Sequence, residues 1–307
     1  MSKPTITTTY AGAASKTYVA AALLSGTTIE NGGVTVMPNV AHKEVIQKVA
    51  ASGLIKNSSC DYDDQGTIAI TERILTLEEF QVNTTFCTKQ FVNSWEAGEL
   101  GVSAFTNMPS RFSDFIIGNF ADQISANVET NIWTGTNGNA GEIDGFETLW
   151  AADGDIIDVP NPVAITEANV VAKMGATLDL CPNTIYAKDD LKLYVSKDVM
   201  KKYIRALGGL ALGFGGGYEN RGQMWYNNQA LTFDGVPIFM ASGMSTNTMA
   251  LAQTSNLYMG TNLLSDLNEI RVIDTSETLG DRNARFIARF AYGIQYGIGT
   301  EIVLYQA

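Results

Sequence analysis

The stretch that decides the fold extends from Pro109 to Trp133 and has the sequence PSRFSDFIIGNFADQISANVETNIW. It is the longest run with uninterrupted helical character, because apolar residues recur every four positions, at Phe112, Ile116, Phe120, Ile124, Val128 and Ile132. At 1.5 Å per residue, a helix across this run is a rod of about 30 Å. A spacing of four advances about 40° past each full turn, so the apolar stripe winds around the rod. We predict a long buried helix crossed by several other elements, in which Phe120→Asp abolishes folding.

The composition around this stretch is that of an ordinary folded protein with few charges. Of 307 residues, 45% are hydrophobic and 17% are charged, which suits one large or two moderate domains with a sound core. The net charge of −12 repels phosphate, so nucleic-acid binding by charge neutralisation is not expected. Cys60, Cys87 and Cys181 lie far apart without Cys-x-x-Cys spacing, which favours a reducing compartment and buried, small apolar side chains.

The N-terminal residues lack the pattern of a targeting segment. No basic region precedes an apolar core, and Tyr18–Leu24 is too short for a signal peptide or a membrane span. Met1–Gly33 is rich in Thr, Ala, Ser and Gly and has only three charged residues, so it cannot build its own core. We expect a soluble cytosolic product whose first segment is either disordered or an arm that becomes ordered against a neighbour.

Predicted helices and strands are mixed without regular alternation, which favours an α+β fold. Asn39–Leu54 is predicted to be a helix, and Thr67–Thr71 and Gln81–Phe86 are predicted to be strands of a long two-stranded excursion. The later predictions are helices at Thr166–Leu178 and Lys197–Leu207, a strand at Leu191–Val195, a glycine-rich loop at Gly208–Asn228, a hairpin at Leu231–Met240 that turns at Asp234-Gly235, and strands across Ile270–Tyr305.

No residue set indicates a catalytic centre. The single histidine, His42, lies at the start of a predicted helix without a nucleophile motif and is interpreted as an ordinary surface residue. Gly213–Gly217 (GFGGG) has Tyr218 where a dinucleotide loop needs its third glycine, and it follows a helix instead of a strand. We interpret it as a surface loop. Sequence spacing says little about paired carboxylates, and nothing in the chain favours them.

The segment most similar to a metal-binding motif is DYDDQGTIAITE, from Asp61 to Glu72. It matches the calcium-loop pattern at both ends, at Asp63 and at Gly66, but Gln65 occupies a position that needs Asp or Asn. The TIAIT alternation also predicts a strand where a helix should begin. We expect an acidic, solvated loop. The sequence therefore predicts no catalytic residue, no cofactor-binding residue and no metal ligand.

In their order along the chain, these elements resemble the major capsid proteins of tailed bacteriophages, whose fold is typified by phage Hong Kong ninety-seven. The resemblance covers about Val40–Ala307. Four patterns carry it: TERILTLEEFQVN followed by FVNSWEAGE, NIWTGTNG followed by DGF, LKLYVSKDVMKKYIRAL, and LTFDGVPIFMASGM. The first pattern resembles the return of the extended loop and the lead-in to the spine helix in capsid proteins of phages of the Bacteroidetes type.

The resemblance implies a domain organisation. In that family an N-terminal arm leads into an extended two-stranded loop, a long spine helix, a peripheral domain and an axial domain. The matching parts here are an arm with a short helix at 1–56, an extended loop at 57–86, a peripheral domain at 87–144 and 263–307 with the spine helix at 109–133, and an axial domain at 145–262.

The resemblance also implies a function. It implies a structural, non-enzymatic protein that self-assembles into hexamers and pentamers and forms an icosahedral head around double-stranded DNA. The expected location is the virion, after assembly in the host cytoplasm. The expected partners are further copies of the chain, portal, scaffold or decoration proteins, and packaged DNA without sequence-specific binding; no membrane is expected. The alternatives are an encapsulin-type compartment and an α+β enzyme.

Two departures from the family pattern sharpen these expectations. No long charged helical region precedes the arm, so assembly would need a separate scaffold or none. Some members cross-link subunits through a lysine of the extended loop, but no lysine lies between Lys56 and Lys89. We therefore expect non-covalent shells.

The charge of the excursion suggests its partner. Residues 57–88 contain six acids and one base, and an isolated hairpin is marginal in water. The densest arginine cluster lies near the C-terminus, at Arg271, Arg282, Arg285 and Arg289. We hypothesise that Asp61–Glu79 of one subunit lies over this cluster in another subunit, because guanidinium groups suit carboxylates at interfaces. The alternative is that these arginines are solvated on a sheet face.

Overall fold

The structure of the chain is a computed structural model that describes residues 27–55, 57–58, 60, 66–87, 110–213, 231–261, 270–275, 280 and 283–307. Its helices in these ranges are α1 (Thr27–Glu30), α2 (Ser110–Thr134), α3 (Phe146–Ala151), α4 (Val170–Asp179) and α5 (Lys197–Gly213). None of these helices is long and apolar enough to span a membrane. Helices and strands are mixed, as the sequence predicts.

The first sheet has five strands and contains the longest strand. Its order is β1 (Thr35–Met37), β10 (Leu257–Thr261), β12 (Asn283–Tyr296) and β11 (Ile270–Asp274), and β4 (Glu78–Cys87) also pairs with β12. Along β12, buried Phe286 and Ala288 alternate with exposed Arg285 and Arg289. The period of two in the sequence therefore predicts the two faces of this strand correctly.

The second sheet has six strands and is covered by α4 and α5. Its order is β5 (Ile157–Asp158), β13 (Val303–Gln306), β9 (Thr248–Gln253), β6 (Leu191–Ser196), β8 (Val236–Ala241) and β7 (Thr232–Phe233). Met174 of α4 and Val199 of α5 pack with Leu193 and Leu251 of the sheet in one buried cluster. This cluster explains why the apolar faces of both helices lie inward.

The β7–β8 hairpin turns where the sequence predicts it. Asp234 and Gly235 have φ angles of 47° and 83°. Two consecutive residues with positive φ suit a two-residue hairpin turn, whose twist matches that of the flanking strands. The Asp-Gly pair was therefore sufficient to place this hairpin.

The long predicted helix is present as α2 and ends next to Gly135. The Gly135 N–H donates to the Asn131 carbonyl oxygen at 3.2 Å. A Cβ atom on Gly135 would lie 2.3 Å from the Ile143 carbonyl oxygen. The chain returns past the helix end at a distance that only glycine allows.

The apolar stripe of α2 contacts different partners along its length, as its winding predicts. Phe120 is half-buried, and its ring centroid lies 4.7 Å from that of Phe286 on β12. Val128 and Ile132 are buried about two and three turns later, in the main core that also contains Trp133. This core contains residues of α2 and of both sheets, so it joins the helix to the two sheets.

The predicted helix at Asn39–Leu54 is wrong, because Lys43–Ser52 forms a strand, β2. It pairs antiparallel with β3 (Thr67–Thr76), with Val45 opposite Ile74 and Val49 opposite Ile70. A spacing of four places two residues on one face of a helix but also on one face of a strand. The β-branched residues and the cross-strand partners decide for the strand.

The predicted limits of the two-stranded excursion are also wrong. The protruding hairpin consists of β2 and β3, whereas the second predicted strand belongs to β4, in the five-stranded sheet. The change occurs at Leu77, whose N–H donates to the His42 carbonyl oxygen at 2.9 Å and whose side chain is buried. This anchored residue ends the hairpin at its base.

Smaller corrections concern helix ends and domain limits. The helix predicted from Thr166 begins at Val170, and α5 continues to Gly213 through the start of the predicted loop; residues 214–228 of that loop lie outside the described residues. Ile204 of α5 is exposed, although its spacing from Met200 and Leu207 predicts that it faces inward. The sheets also cross the predicted domain limits, because β10 pairs with β12 and β13 pairs with β9.

Candidate functional site

The sequence motifs that invite a chemical function do not come together into a site. His42 is exposed and precedes a strand, not a helix. Of the calcium-like motif, residues 61–65 lie outside the described residues, and Thr67–Glu72 belong to β3, as the TIAIT alternation predicts. The described residues contain no group of three or more His, Cys, Asp or Glu side chains that could hold a metal ion. Of GFGGG, Gly213 ends α5 and the rest lies outside the described residues.

The cysteines differ in burial more than the sequence predicts. Cys60 is exposed, so the prediction of a buried side chain is wrong there, while Cys87 and Cys181 are half-buried. Burial raises the pKa of the Cys181 thiol. Cys60 lies near the tip of the hairpin, and exposure there follows from its distance from the core.

The protruding hairpin presents an apolar face to solvent. Val45, Val49, Ile68, Ile70 and Ile74 point to the same side in the β2–β3 register. Val49 is 63% and Ile70 is 64% exposed. Only the Gln47–Glu72 pair lies between them on this side. Large apolar side chains are rarely exposed in such number on one face of a monomer, and a face of this kind marks an interaction surface. We call these five residues the hairpin apolar face.

The other face of the hairpin is attached to the body of the protein at its base. Leu75 is fully buried there. Arg73 pairs with the Asp153 carboxylate and donates from Nε to the Gly297 carbonyl oxygen at 3.2 Å. Its guanidinium carbon also lies 4.3 Å from the centre of the Tyr296 ring. Arg73 therefore joins the hairpin to the loop before β5 and to the end of β12.

Asp153 is held as a carboxylate by several donors. Its burial alone raises its pKa, but hydrogen bonds from the Tyr296 hydroxyl, the Asp155 N–H and Arg73 outweigh burial and lower the pKa below the ordinary value of 3.8. Tyr296 donates to Asp153 Oδ2 at 2.5 Å. Burial and this bond raise the pKa of Tyr296. Asp153 is therefore ionised at neutral pH, which keeps its ion pair with Arg73 intact.

Replacing Arg73 by alanine should loosen the hairpin without unfolding the protein. A hydrogen bond to a charged group contributes about 1.5 kcal/mol or more, which is about tenfold in an opening equilibrium. Amide hydrogen exchange in 43–52 and 67–76 should therefore accelerate about tenfold, while exchange in the second sheet should not change. Lys43→Ala, an exposed change on the same hairpin, is the control. Equal acceleration by both variants would contradict the role of Arg73.

The same bridge should respond to acid. The pKa of Asp153 in the folded protein is lowered. Its contribution to the stability of the hairpin contact is therefore fully present above the ordinary pKa of Asp and is lost as pH falls through the pKa in the folded protein. Exchange in the hairpin should accelerate below about pH 4 in the wild type, but less so in Asp153→Asn. A hairpin equally protected at pH 3 and pH 6, at matched intrinsic exchange rates, would refute this.

A buried carboxylate fixes the chain just after the N-terminal segment. Glu129 of α2 and Thr28 of α1 are both fully buried. Glu129 accepts the Thr28 N–H at 3.0 Å and the Thr28 hydroxyl at 2.6 Å, and Trp133 Nε1 donates to Thr28 Oγ1 at 2.9 Å. Among the described residues, these contacts satisfy the Glu129 side chain without a cation, and they hold α1 against α2.

A groove of about 420 Å³ lies between α2, β4, β12 and the turn at 140–142. Its larger apolar lining residues are Phe80, Val82, Ile124, Val128, Phe290 and Tyr292. The ring centroids of Phe80 and Tyr292 are 5.0 Å apart. Its polar lining residues are Gln81, Asn127, Thr130, Asn131 and Glu142. Apolar walls with a few placed polar groups are typical of a binding groove.

The structure describes three of the four arginines in the C-terminal cluster. Arg285 and Arg289 are exposed on the same face of β12, opposite Thr85 and Gln81 of β4. Arg271 lies in β11, opposite Ile287, and Arg282 lies outside the described residues. The structure thus brings two of them together on one solvent-facing strand.

Sequence reasoning missed Arg73, Glu129 and the groove. A signal existed for two of them. Arg73 is the one base of a strongly acidic segment, and Glu129 interrupts an apolar helix end between Val128 and Ile132. A lone charge in such a position indicates a buried or bridging partner. The groove had no sequence signal, because its lining comes from four segments far apart in the chain.

No protein-family model matches the chain, and no curated protein sequence matches it. Solved structures do. The capsid of an empty GTA particle is similar with a TM-score of 0.56 and 13% identity, over 99% of this chain and 94% of its own. The values for Gordonia phage Cozz are 0.59 and 10%, over 91% and 86%. Those for Mycobacterium phage Cain are 0.58 and 11%, over 98% and 95%.

These similarities extend along nearly the whole chain at identities that show the fold alone. The chain therefore has the α+β capsid fold of the Hong Kong ninety-seven type, which confirms the predicted fold. The similarity to the Bacteroidetes type of phage stays a prediction.

Proposed function

We propose that this chain is the major capsid protein of a tailed bacteriophage, which assembles as hexamers and pentamers into an icosahedral head around double-stranded DNA. The hairpin apolar face is the observation that carries this proposal. A two-stranded ribbon is marginal in water by itself, yet this one has 10 residue pairs and leaves five large apolar side chains exposed. It is built to be covered by another molecule.

Burial of this face is a sufficient reason for subunits to associate. Full burial of a Val or Ile side chain stabilises by about 1.5–3 kcal/mol, so covering five half-exposed ones contributes roughly 5 kcal/mol per hairpin. A shell repeats this contact in every subunit. A weak contact that is repeated many times is what closed assemblies require.

The fold suggests to which domain each of the two sheets belongs. We assign α2 and the five-stranded sheet to the peripheral domain, and the six-stranded sheet with α4 and α5 to the axial domain. The protein acts as a structural component and not as an enzyme. Its place is the virion, assembled in the host cytoplasm, with portal, scaffold or decoration proteins as partners. Its net charge of −12 keeps its contact with DNA weak and independent of sequence.

The acidic part of the hairpin has a proposed counterpart. Asp61–Glu79 of one subunit contacts Arg285 and Arg289 of another. Their exposure on one strand face supports this. Replacing both arginines by alanine should weaken assembly, raising the protein concentration needed for shells several-fold, because charged pairs at interfaces typically contribute about 1 kcal/mol each. Lys197→Ala with Lys201→Ala, on α5, is the charge-matched control. Unchanged shell formation by the arginine variant would favour simple solvation.

The shells should be held together without covalent bonds. No lysine lies between Lys56 and Lys89, so the hairpin has no amine between these positions for an isopeptide bond. Mature particles boiled in detergent with reductant should give one band near 33.1 kDa on a denaturing gel. A ladder of covalent multimers would refute this.

Electron microscopy of the purified protein tests the proposal directly. Closed shells, or six- and five-membered rings, are expected, and particles from infected cells should contain DNA. Particles that contain a protein cargo and no DNA would instead indicate an encapsulin-type compartment. A protein that stays monomeric at every concentration and ionic strength would contradict the proposal and leave an enzyme or binding domain as the alternative.

A further inference from the structure

The turn that follows α2 contains an exposed Asn-Gly pair. Asn137 and Gly138 are both exposed. They are the two central residues of a turn, which the Asn139 N–H closes by donating to the Thr136 carbonyl oxygen at 2.9 Å. A Cβ atom added to Gly138 would meet nothing within 4 Å. The space around this peptide unit is therefore open to water.

An Asn-Gly pair can lose the asparagine amide to its own backbone, because glycine has no Cβ atom to hinder the attack. The Gly138 nitrogen gives its proton to water and attacks the Asn137 Cγ atom. The new C–N bond closes a succinimide ring, and the Cγ–Nδ2 bond breaks, so that Nδ2 leaves as ammonia. Water then opens the ring at either carbonyl. The product is aspartate or isoaspartate, with a carboxylate in place of the neutral amide.

The attacking nitrogen distinguishes this pair from the second Asn-Gly pair of the chain, Asn31-Gly32. Among the described residues, no acceptor takes the Gly138 N–H group. Asn31 is equally exposed, but the Gly32 N–H donates to the Ile29 carbonyl oxygen at 3.2 Å. That bond must break before Gly32 can attack. A typical hydrogen bond changes an equilibrium about fivefold, so the fold favours reaction at Asn137.

The hydrogen bonds of Asn137 determine what this reaction changes. Its Nδ2 group donates to Glu78 Oε1 at 2.8 Å, which ties the turn to the start of β4. Its N–H donates to Asp144 Oδ1 at 2.9 Å. Neither carboxylate forms an ion pair within the part of the chain that the structure describes. A new carboxylate at this position therefore faces two others without a cation to offset the repulsion.

We propose that Asn137-Gly138 is a site of spontaneous deamidation whose product releases the turn after α2 from β4. The donor to Glu78 is lost and a like charge takes its place, so the start of β4 is held less firmly. Leu77, which ends the protruding hairpin at its base, precedes Glu78 in the chain. The modification therefore loosens the base of the hairpin with time and without an enzyme. It does not depend on the proposed shell function.

Peptide mass spectrometry of the purified, full-length chain tests the site. The protein is incubated at mildly alkaline pH, where the attacking nitrogen loses its proton more readily, and is then cleaved after glutamate. Cleavage releases 31–44 and 130–142, which contain the two Asn-Gly pairs separately. Asn137 should convert about fivefold faster than Asn31 in the folded protein and at a similar rate in urea. Equal rates in the folded protein, or a difference that persists in urea, would overturn the proposal.

A second measurement tests the consequence with the product introduced directly. In Asn137→Asp, amide hydrogen exchange at 78–82 should accelerate about tenfold, the effect of losing a hydrogen bond to a charged group. Asn139→Asp is the matched control, because Asn139 donates to Glu142 within the same turn and not to β4. Exchange at 78–82 should not change in this control. Equal exchange in Asn137→Asp and the wild type, or equal acceleration in both variants, would contradict the release of β4.

Discussion

Replacing Val49 and Ile70 by aspartate should leave a folded protein that no longer forms shells. These residues face each other across the hairpin and are more than 60% exposed, so they contribute little to the fold of the isolated subunit. In the assembly we expect them to be covered. Burying two charged carboxylates without partners costs several kcal/mol each, which exceeds what the rest of the hairpin apolar face can offset.

The fold of this variant should be tested before its assembly. Its midpoint of thermal unfolding should stay within a few degrees of the wild type, because surface substitutions change the free energy of unfolding by about 0.5 kcal/mol or less. Shells should be absent by electron microscopy and by sedimentation. The expected product is a monomer or a small oligomer.

A matched variant separates lost apolar contact from added charge. Ala69→Asp with Thr71→Asp adds two negative charges to the same hairpin, both on β3 and on the opposite face. We expect this variant to form shells at protein concentrations close to those of the wild type. If both pairs abolish shells, charge alone explains the loss. If neither does, the hairpin apolar face is not an assembly surface.

The long helix was predictable because its signal is redundant. Six apolar residues spaced by four, a proline at the start and Gly135 at the end all indicate the same element within a few residues. The winding of the stripe also predicted its contacts, since Phe120 meets the five-stranded sheet and Ile132 meets the main core. The Asp234-Gly235 hairpin was predictable for the same reason, because its turn chemistry is local.

The hairpin limits could not be predicted from local pattern. Val45 and Val49 satisfy both a helical and a strand period, and only the pairing with β3 decides between them. The same applies to β4, whose partner β12 lies about 200 residues further along the chain. Long-range pairing determines which two of the three consecutive strands form the protruding hairpin, and sequence spacing alone does not contain that information.

The candidate surfaces were less predictable than the fold. The hairpin apolar face has the composition of an ordinary strand, and it becomes informative only when the structure leaves it uncovered. The groove needs α2, β4, β12 and the turn at 140–142 together. The charge argument for the hairpin, in contrast, comes from sequence alone and stays a prediction.

Replacing Trp133 by alanine should cause the largest loss of stability of any single change in α2 that the structure describes. From sequence, the central stripe residue Phe120 is the natural choice for a disruptive change. Phe120 is half-buried in the structure. We therefore expect Phe120→Asp to lower the free energy of unfolding by less than the sequence alone suggests. Trp133 is fully buried and lies where the two sheets, α3 and α1 meet.

The contacts of Trp133 explain the size of the effect. Its ring centroid lies 5.5 Å from those of Phe146 and Tyr194 and 6.1 Å from that of Trp150. Truncation of a buried Trp to Ala typically costs about 3–5 kcal/mol, because it removes apolar burial and leaves a cavity. It also removes the Nε1–H group that donates a hydrogen bond to Thr28 Oγ1. Thr28, which donates to Glu129, is then held less firmly. Domains of ordinary stability have only about 5–15 kcal/mol in total.

Urea unfolding of unassembled subunits should therefore show a midpoint reduced by roughly a third or more for Trp133→Ala. Trp133→Phe keeps most of the apolar contact but lacks the N–H group, so it should fall between Trp133→Ala and the wild type. Tyr186→Ala, an exposed aromatic residue, is the control and should change the free energy of unfolding by about 1 kcal/mol or less. If Trp133→Ala and Tyr186→Ala unfold at the same urea concentration, the main core is not organised around Trp133.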